Sequence, residues 1–318
     1  MTDKIQTAVL ENEIARITVL SIGCSIQDWR VHGRPVVLGY ADVEAYRTNP
    51  CVMGSIVGRI ANRTAGASFE LDGKRWPLPA NDGPNHIHGG PGGLAWQNWT
   101  LHQNSATSVA LTLRSEHLDQ GYPGCVDFEV QLTLDGTALT WVMTGKPDRE
   151  TPINLAQHVY FNLAGTGNVL DHKVQIGANY VTPTDQALIP TGEKLQVGNS
   201  RFDFRHVQTL SEADPENLGY DLNFVLDKSN SPSAQVSSPD GMTLKLWTDQ
   251  PGLQFYTAKH LSRRGVPIQG ANHDPDCGFC LEAQSFPNSI NQPGFGSIVY
   301  SPDNPYLQRT TIEIAPTD

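Results

Sequence analysis

Short runs of alternating hydrophobic and polar residues recur along almost the whole chain, as at Ile17–Leu20, Val109–Leu113 and Phe128–Leu134. An alternation with a period of two is typical of half-buried β-strands. Asp-Gly pairs at positions 72–73 and 135–136 each separate two such runs. Because Asp-Gly favours the tight turns that join antiparallel strands, these two positions predict β-hairpins.

Long amphipathic helical patterns are absent from the sequence. Helix is expected only as single turns near Asp42 and Ser211, where each of these residues can act as an N-cap. The 318 residues contain no internal repeat, low-complexity run or linker. Strands that recur without helices between them are typical of antiparallel sheet proteins. We therefore predict that residues 1–318 form a single all-β domain, a large antiparallel β-sandwich.

One predicted strand carries a carboxylate within an apolar run. In the segment 278–286, Glu282 shares a face with Cys280, opposite Leu281 and Ala283. Buried carboxylates are uncommon unless they are paired or retained for a function. Glu282 is therefore a candidate functional residue. The alternative is an ordinary glutamate exposed to water on an edge strand.

The segment 151–163 is predicted to be a second strand of this kind. Its hydrophobic residues share one face, and the opposite face carries Asn154, His158, Tyr160 and Asn162. Such a row of hydrogen-bonding side chains suits a binding site. The alternative is a solvated outer face, which antiparallel sheets commonly have.

Two short motifs resemble metal sites but lack the remaining ligands. His86 and His88 have a spacing that is common in metal sites, yet the glutamate of a cupin-like site does not follow them. We favour a loop that presents His88 as a hydrogen-bonding group, and we expect no metal. The pair Cys277 and Cys280 lacks the second pair of cysteines that a zinc ribbon needs, so we interpret both as structural.

The composition narrows the class of partner. The formal net charge of -11 disfavours binding to nucleic acid and to anionic membranes. The N-terminal residues show no signal-peptide pattern, and no apolar stretch approaches the roughly 18 residues of a membrane span. The five cysteines are scattered, which is typical of reduced thiols. We therefore expect a cytoplasmic monomer or homodimer. In addition, residues 54–63 contain no dinucleotide-binding or phosphate-loop pattern.

Several motifs taken together resemble the aldose 1-epimerase, or galactose mutarotase, family. In the family's order they are Gly58–Arg63, Asn85–Gly90, Gly121–Gly124, Asn154–Gly165, Gly219–Asp221 with Asn223-Phe224, Pro251–Thr257, and Leu281–Gln284 with Asn291–Pro293. The resemblance covers most of the chain. It implies a large β-sandwich with an open carbohydrate cleft. It also implies interconversion of the α and β anomers of free aldoses such as glucose and galactose, without a metal, nucleotide or other cofactor.

The same resemblance implies roles for individual residues. Glu282 matches the general base, His158 the general acid, and His88 a second histidine near the reacting centre. The implied ligands of the sugar hydroxyls are Asn62, Arg63, Asp221 and Gln254. The chain departs from the family's pattern, and so leaves the preferred sugar open, at Leu222, Ala283 and Asn288.

Three other functions remain open at this point. A glycoside hydrolase needs two carboxylates across the scissile bond, and Asp221 is the candidate partner for Glu282. A sugar-phosphate epimerase needs a basic pocket, and Arg59, Arg63 and Arg205 are not an obvious cluster in the sequence. A non-catalytic carbohydrate-binding protein would not need a proton-transfer pair.

Overall fold

The computed structural model describes residues 4–228, 231–261, 265–268 and 273–317 and consists mainly of short and medium β-strands. In chain order the strands are β1 Thr7–Glu11, β2 Ala15–Leu20, β3 Ser25–Val31, β4 Arg34–Pro35, β5 Ile56–Val57, β6 Arg63–Thr64, β7 Ser68–Leu71, β8 Lys74–Pro77, β9 His86–Ile87, β10 Thr100–Ser105, β11 Ser108–Ser115, β12 Val126–Asp135, β13 Ala138–Pro147, β14 Thr151–Pro152, β15 Ala156–Gln157, β16 Lys173–Ile176, β17 Ala178–Thr182, β18 Leu195–Gln196, β19 Gln208–Thr209, β20 Asp221–Leu226, β21 Ala234–Ser237, β22 Met242–Thr248, β23 Gly252–Tyr256, β24 Cys280–Gln284, β25 Val299–Tyr300 and β26 Tyr306–Pro316.

Helical structure is confined to short turns. The described residues contain the short α-helix α1 Leu210–Ala213 and 3-10 turns at Val43–Arg47, Ala65–Ala67, Leu94–Trp96, Asp119–Gly121, Ser289–Asn291 and Pro293–Phe295. Within these residues, no helix has the length and apolar character needed to cross a membrane.

The strands form three main antiparallel sheets. The largest has nine strands in the order β10-β11-β12-β13-β26-β22-β21-β16-β19. A five-stranded sheet has the order β18-β17-β20-β23-β24, and a four-stranded sheet runs in sequence from β1 to β4. The two predicted hairpins are present as β7–β8 and β12–β13. The predicted all-β, antiparallel fold class is confirmed.

The main hydrophobic core brings together side chains from all three sheets. Trp29 of β3, Trp141 of β13 and Phe255 of β23 are all fully buried members of it. The ring centroids of Trp29 and Trp141 lie 6.1 Å apart, so these two sheets are in direct contact. In β12 and β13 every second residue is buried, as the alternation predicts. Each large apolar side chain buried in this way stabilises the fold by about 1.5–3 kcal/mol.

Both predicted helical turns exist, but one has a different cap. The side chain of Asp42 accepts the backbone N–H of Glu44 and caps the first 3-10 turn. The cap of α1 is Thr209 and not Ser211. Glu212 lies three residues after Thr209, and each of these two side chains bonds the other residue's backbone N–H. This capping box satisfies two N–H groups at once.

The segment 151–163 is not the continuous strand that its alternation predicts. Only β14 and β15 pair as strands, and they pair with β25 and β5, which belong to different parts of the chain. Further on, Phe161 makes isolated bridges to Val37 and Phe279. The segment changes partner every few residues, so no single ladder forms. The four polar residues predicted to share a face are all buried, which excludes the solvated-face alternative.

Side-chain amides close the outer edge of β24, the last strand of the five-stranded sheet. The bonds run from Gln157 Nε2 to Leu281 O at 2.6 Å, from Gln308 Nε2 to Ala283 O at 2.9 Å, and from Asn154 Nδ2 to Ser285 O at 3.1 Å. The Oδ1 atom of Asn154 also accepts the N–H of Ser285 at 2.9 Å. As a result, every residue of β24 is buried although no strand of the described residues lies beyond it in the sheet.

We predict that Gln308→Leu destabilises the protein. The substitution leaves the buried carbonyl of Ala283 without its amide donor, which should lower the free energy of unfolding by about 1–3 kcal/mol. Urea denaturation measures this loss. The control is Gln103→Leu, which removes a bond of the same type to the carbonyl of Val9 at an exposed position. The control should cost less than about 0.5 kcal/mol. Equal losses in the two variants would contradict the prediction.

Candidate active site

An open cleft of about 560 Å³ lies over the polar face of the five-stranded sheet. This volume falls within the range of about 300–1,000 Å³ that is usual for small-molecule sites. The predicted site residues that line the cleft are Glu282, His158, His88, Asn62, Arg63 and Asp221. Gln254 does not line it. This residue is buried and donates from Nε2 to Oδ1 of Asp221 at 2.6 Å.

The register of three neighbouring strands places the acidic residues of the cleft. Gln254 of β23 pairs with Glu282 of β24, and Tyr256 of β23 pairs with Asp221 of β20. Residues directly opposite in neighbouring strands share a face of the sheet. Neighbouring strands lie about 4.8 Å apart, so the strands of Glu282 and Asp221 are separated by about 10 Å. A small ligand can therefore lie between the two carboxylates.

Glu282 and His158 face each other on the floor of the cleft. Glu282 Oε1 lies 3.7 Å from His158 Nε2, and the two side chains are only 2% and 6% exposed. Burial raises the pKa of Glu282 well above its ordinary value, and the nearby Asp221 acts in the same direction. Burial lowers the pKa of His158 to about 4. Both shifts favour a pair that carries one proton between its two members at neutral pH.

The second carboxylate oxygen of Glu282, Oε2, is buried and has no hydrogen-bond partner among the described residues. A buried polar atom without a partner lowers the stability of a protein, and such atoms are concentrated at functional sites. The burial also excludes the alternative that Glu282 is an exposed residue on an edge strand.

His88 contacts His158 from a loop on another side of the cleft. The two rings lie edge to face, with centroids 5.3 Å apart. His88 Nδ1 accepts the backbone N–H of Asn62 at 3.2 Å, so the proton of the neutral ring is on Nε2. Burial, together with His158 and Arg63, lowers the pKa of His88 well below its ordinary value. His88 is therefore a neutral ring that can donate a hydrogen bond from Nε2.

Asn62 and His88, which are joined by this hydrogen bond, both have strained backbones. Asn62 has a φ of 60° and His88 a φ of 52°. They lie beside the short ladder in which β6 pairs with β9. Non-glycine residues in this left-handed region typically cost about 1–3 kcal/mol, and they are found preferentially at functional sites. The strain turns the side chain of His88 into the cleft.

His86 occupies a different environment from His88 despite the alternate spacing. Its Nε2 bonds the hydroxyl of Tyr122 at 2.7 Å, and its Nδ1 bonds the carbonyl of Pro79 at 2.7 Å. The two histidines therefore do not converge on one point. No group of three or more potential metal ligands is found in the part of the chain that the structure describes.

Arg63 is held between two carboxylates. Its Nε donates to Oδ2 of Asp82 at 2.7 Å, and its Nη1 lies 3.8 Å from Oδ2 of Asp221. The Oδ1 atom of Asn62 accepts the backbone N–H of Arg63 at 2.8 Å. Arg63 and Asn62 therefore present N–H donors beside the acceptor Asp221, an arrangement that suits a ligand with several hydroxyl groups.

Sequence reasoning missed several residues of the cleft. Tyr256, Trp96, Cys51 and His260 line it but were not predicted as site residues. Tyr256 had a detectable signal, because it alternates with Gln254 in the same apolar run. The other three lie outside alternating runs and carry no comparable signal.

The polar row of segment 151–163 divides in the structure. His158 and Tyr160 line the cleft, whereas Asn154 and Asn162 bond backbone groups away from it.

The positions that depart from the family's pattern also lie outside the cleft lining, and they are Leu222, Ala283 and Asn288.

Comparisons with known proteins agree with this architecture. Residues 6–313 match the sequence model of the aldose 1-epimerase family. Galactose mutarotase from Sus scrofa is 38% identical over 313 residues, which cover 95% of this chain and 91% of that protein. Aldose 1-epimerase from Escherichia coli (strain K12) is 34% identical over 289 residues, which cover 87% of this chain and 82% of that protein.

Solved structures give the same result. The crystal structure of a GalM/aldose epimerase homologue from C. elegans superposes with a TM-score of 0.94 at 25% identity, covering 99% of this chain and 100% of that one. Galactose 1-epimerase from Lactobacillus acidophilus NCFM superposes with a TM-score of 0.88 at 25% identity, covering 99% of both chains. With a family match over almost its whole length, this chain belongs to the aldose 1-epimerase family.

Proposed function

We propose that the protein is an isomerase that interconverts the α and β anomers of free aldoses, with glucose and galactose as substrates. The observation that carries the proposal is the buried Glu282–His158 pair, 3.7 Å apart at the floor of an open polar cleft. Relatives named galactose mutarotase support galactose as one of the sugars.

The reaction needs one acid and one base. A base removes the proton of the anomeric hydroxyl while an acid delivers a proton to the ring oxygen, and the ring opens to the aldehyde. Rotation about the C1–C2 bond and closure then give the other anomer. In our proposal Glu282 is the base and His158 the acid, and they exchange roles during closure. Each positioned group typically contributes about 10²–10⁴-fold in rate, or roughly 3–5 kcal/mol of the barrier.

The single proton of the pair fits this cycle. A carboxylate beside an imidazolium and a carboxylic acid beside a neutral imidazole contain the same number of protons. The pair can therefore begin and end a turnover without exchanging a proton with solvent. Burial of both side chains keeps competing water away from the two proton transfers.

The remaining predicted residues would bind and polarise the sugar. His88 Nε2–H would donate to an oxygen at the reacting centre, where negative charge develops as the ring opens. Asn62 and Arg63 would donate to hydroxyls, and Asp221 would accept from one. Gln254 would act through Asp221, since its amide holds that carboxylate at 2.6 Å.

The alternative functions fit the geometry less well. For a glycoside hydrolase, the second carboxylate would be Asp221, which is already engaged by Gln254 and Arg63. For a sugar-phosphate epimerase, Arg59 is buried against backbone carbonyls and Arg205 pairs with a carboxylate outside the cleft. Neither joins Arg63. A binding protein would gain nothing from an unpaired carboxylate oxygen beside a histidine.

Polarimetry on freshly dissolved α-D-glucose and α-D-galactose tests the proposal. We predict that the wild-type protein accelerates the approach to the equilibrium rotation and that Glu282→Gln reduces kcat by about 10²–10⁴-fold, because the amide cannot accept the proton. The matched control is Glu129→Gln, which changes an exposed glutamate on β12 and should leave kcat unchanged. Near-normal turnover by Glu282→Gln would overturn the assignment of the base.

We predict that Glu282→Gln is at least as stable as the wild type at neutral pH. Because the pKa of Glu282 is raised in the folded state, the wild type loses stability as the pH rises from the ordinary value of 4.5 towards the folded value. A neutral glutamine has no such dependence. The Tm of Glu282→Gln relative to the wild type should therefore increase between about pH 4 and about pH 8, as thermal denaturation can measure. A constant difference would contradict the raised pKa.

The pH profile of kcat/KM should be broad. A second proton joins the pair only near the lowered pKa of His158, about 4, so activity falls on the acid side there. The last proton leaves only at the raised pKa of Glu282, so the alkaline limb lies well above the ordinary value for glutamate. Initial rates corrected for buffer catalysis give the profile. An acid limb centred near the ordinary histidine pKa of about 6.5 would contradict this prediction.

A further inference from the structure

Strand β24 contacts both ring nitrogens of His158. Cys280 and Glu282 are two residues apart on this strand, so their side chains project from the same face. Cys280 Sγ lies 3.6 Å from Nδ1 of His158, and Glu282 Oε1 lies 3.7 Å from Nε2. The imidazole ring is thus held between two side chains of a single buried strand.

The sulfur of Cys280 is an uncharged hydrogen-bond acceptor. Cys280 is fully buried, and burial is the main reason that the pKa of its thiol is raised well above the ordinary value. The sulfur therefore keeps its proton at neutral pH. Within the part of the chain that the structure describes, Nδ1 of His158 is the hydrogen-bond partner of this sulfur. The sulfur of a protonated thiol is a weak acceptor, so it can receive a hydrogen bond from a ring nitrogen that carries a proton.

Apart from a hydrogen bond between the ring and the backbone of His158 itself, which favours a protonated ring, the other contacts of the His158 ring are with flat aromatic side chains. The rings of Tyr160 and Tyr256 lie with their centroids 5.1 Å and 6.5 Å from that of His158, and His88 lies edge to face with it. These contacts restrict the position of the ring. They do not decide which nitrogen carries the proton, because that choice depends on the hydrogen bond made by the opposite nitrogen.

We propose that Cys280 is a positioning residue for the epimerase reaction. Its sulfur accepts a hydrogen bond from Nδ1–H of His158 and thereby keeps the proton of the neutral ring on Nδ1, so that Nε2, the nitrogen that faces Glu282, can take up a proton and release it again. The inference rests on the proposed function, since it assigns Nε2 as the atom that exchanges a proton with the sugar. The sequence alone suggested only a structural cysteine, which is the usual role of a small buried thiol.

Steady-state kinetics with α-D-galactose test the proposal on the full chain. In Cys280→Ala we expect kcat to fall by about 10–100-fold, the usual effect of losing such a supporting bond, while KM stays within about twofold. In Cys280→Ser the hydroxyl can still accept the bond from Nδ1–H, so most of the lost kcat should return. The control is Cys24→Ala, which removes another fully buried thiol that does not line the cleft. This control should retain the wild-type kcat.

Nitrogen NMR of protein labelled with ¹⁵N-histidine gives a second readout that does not depend on turnover. The wild type should show His158 with a protonated Nδ1 and an unprotonated Nε2, assigned by comparison with His158→Asn. Cys280→Ala should show a mixture of the two tautomers. A wild-type neutral ring protonated on Nε2, or an unchanged kcat in Cys280→Ala, would overturn the proposal.

The two proposals fail in different ways. A wild-type protein that does not accelerate mutarotation of any free sugar would overturn the proposed function, and with it the role of Cys280 in the reaction. A wild-type protein that is active, with a tautomer that does not respond to Cys280→Ala, would overturn only the role of Cys280. If the alanine variant does not fold, Cys280→Ser and the wild-type spectrum still provide the test.

Discussion

The side chain of Glu282 is only 2% exposed, so its carboxylate has lost nearly all of its hydration. The surrounding structure must stabilise the carboxylate without that hydration. Glu282 meets this constraint because β24 is fixed on all sides. Its alternate residues Leu281 and Ala283 pack into the main core, and side-chain amides hold its outer backbone edge. The cleft depends on this arrangement, since the register from β24 through β23 to β20 determines where Gln254 and Asp221 lie.

The two carboxylates on this sheet face have different environments and therefore different chemistry. Asp221 is only partly buried and is engaged by Gln254 and Arg63, which suits a fixed hydrogen-bond acceptor. Glu282 faces His158 and retains an oxygen without a partner among the described residues, which suits an atom that gains and loses a proton. When the surroundings of two acidic groups differ in this way, one group commonly binds the substrate and the other takes part in the proton transfer.

Local patterns in the sequence predicted the strands, the hairpins and the burial of Glu282, because alternation and turn residues act over a few positions. The family motifs located six residues that line the cleft, but Gln254 lies outside the lining, and Trp96, Cys51 and His260 were missed. Nonlocal contacts were not predictable from either. The segment 151–163 alternates like a strand but changes partner repeatedly, and Gln157 bonds a carbonyl 124 residues away. His86 and His88 look equivalent in the sequence, yet the positive φ of His88 sends the two side chains to different environments.

The hydrogen bonds from side-chain amides to β24 also affect how molecules of this protein associate. A bare strand edge offers a row of N–H and C=O groups to which a strand of another molecule can add, and this is a common start of aggregation. Natural edge strands usually avoid it with lysine, proline or a bulge. Here Gln157 and Gln308 already bond the outward carbonyls of this apolar strand, and Asn154 bonds both backbone groups of Ser285 just after it. The contacts that fix the cleft floor thus also protect the protein from intermolecular strand pairing at this edge.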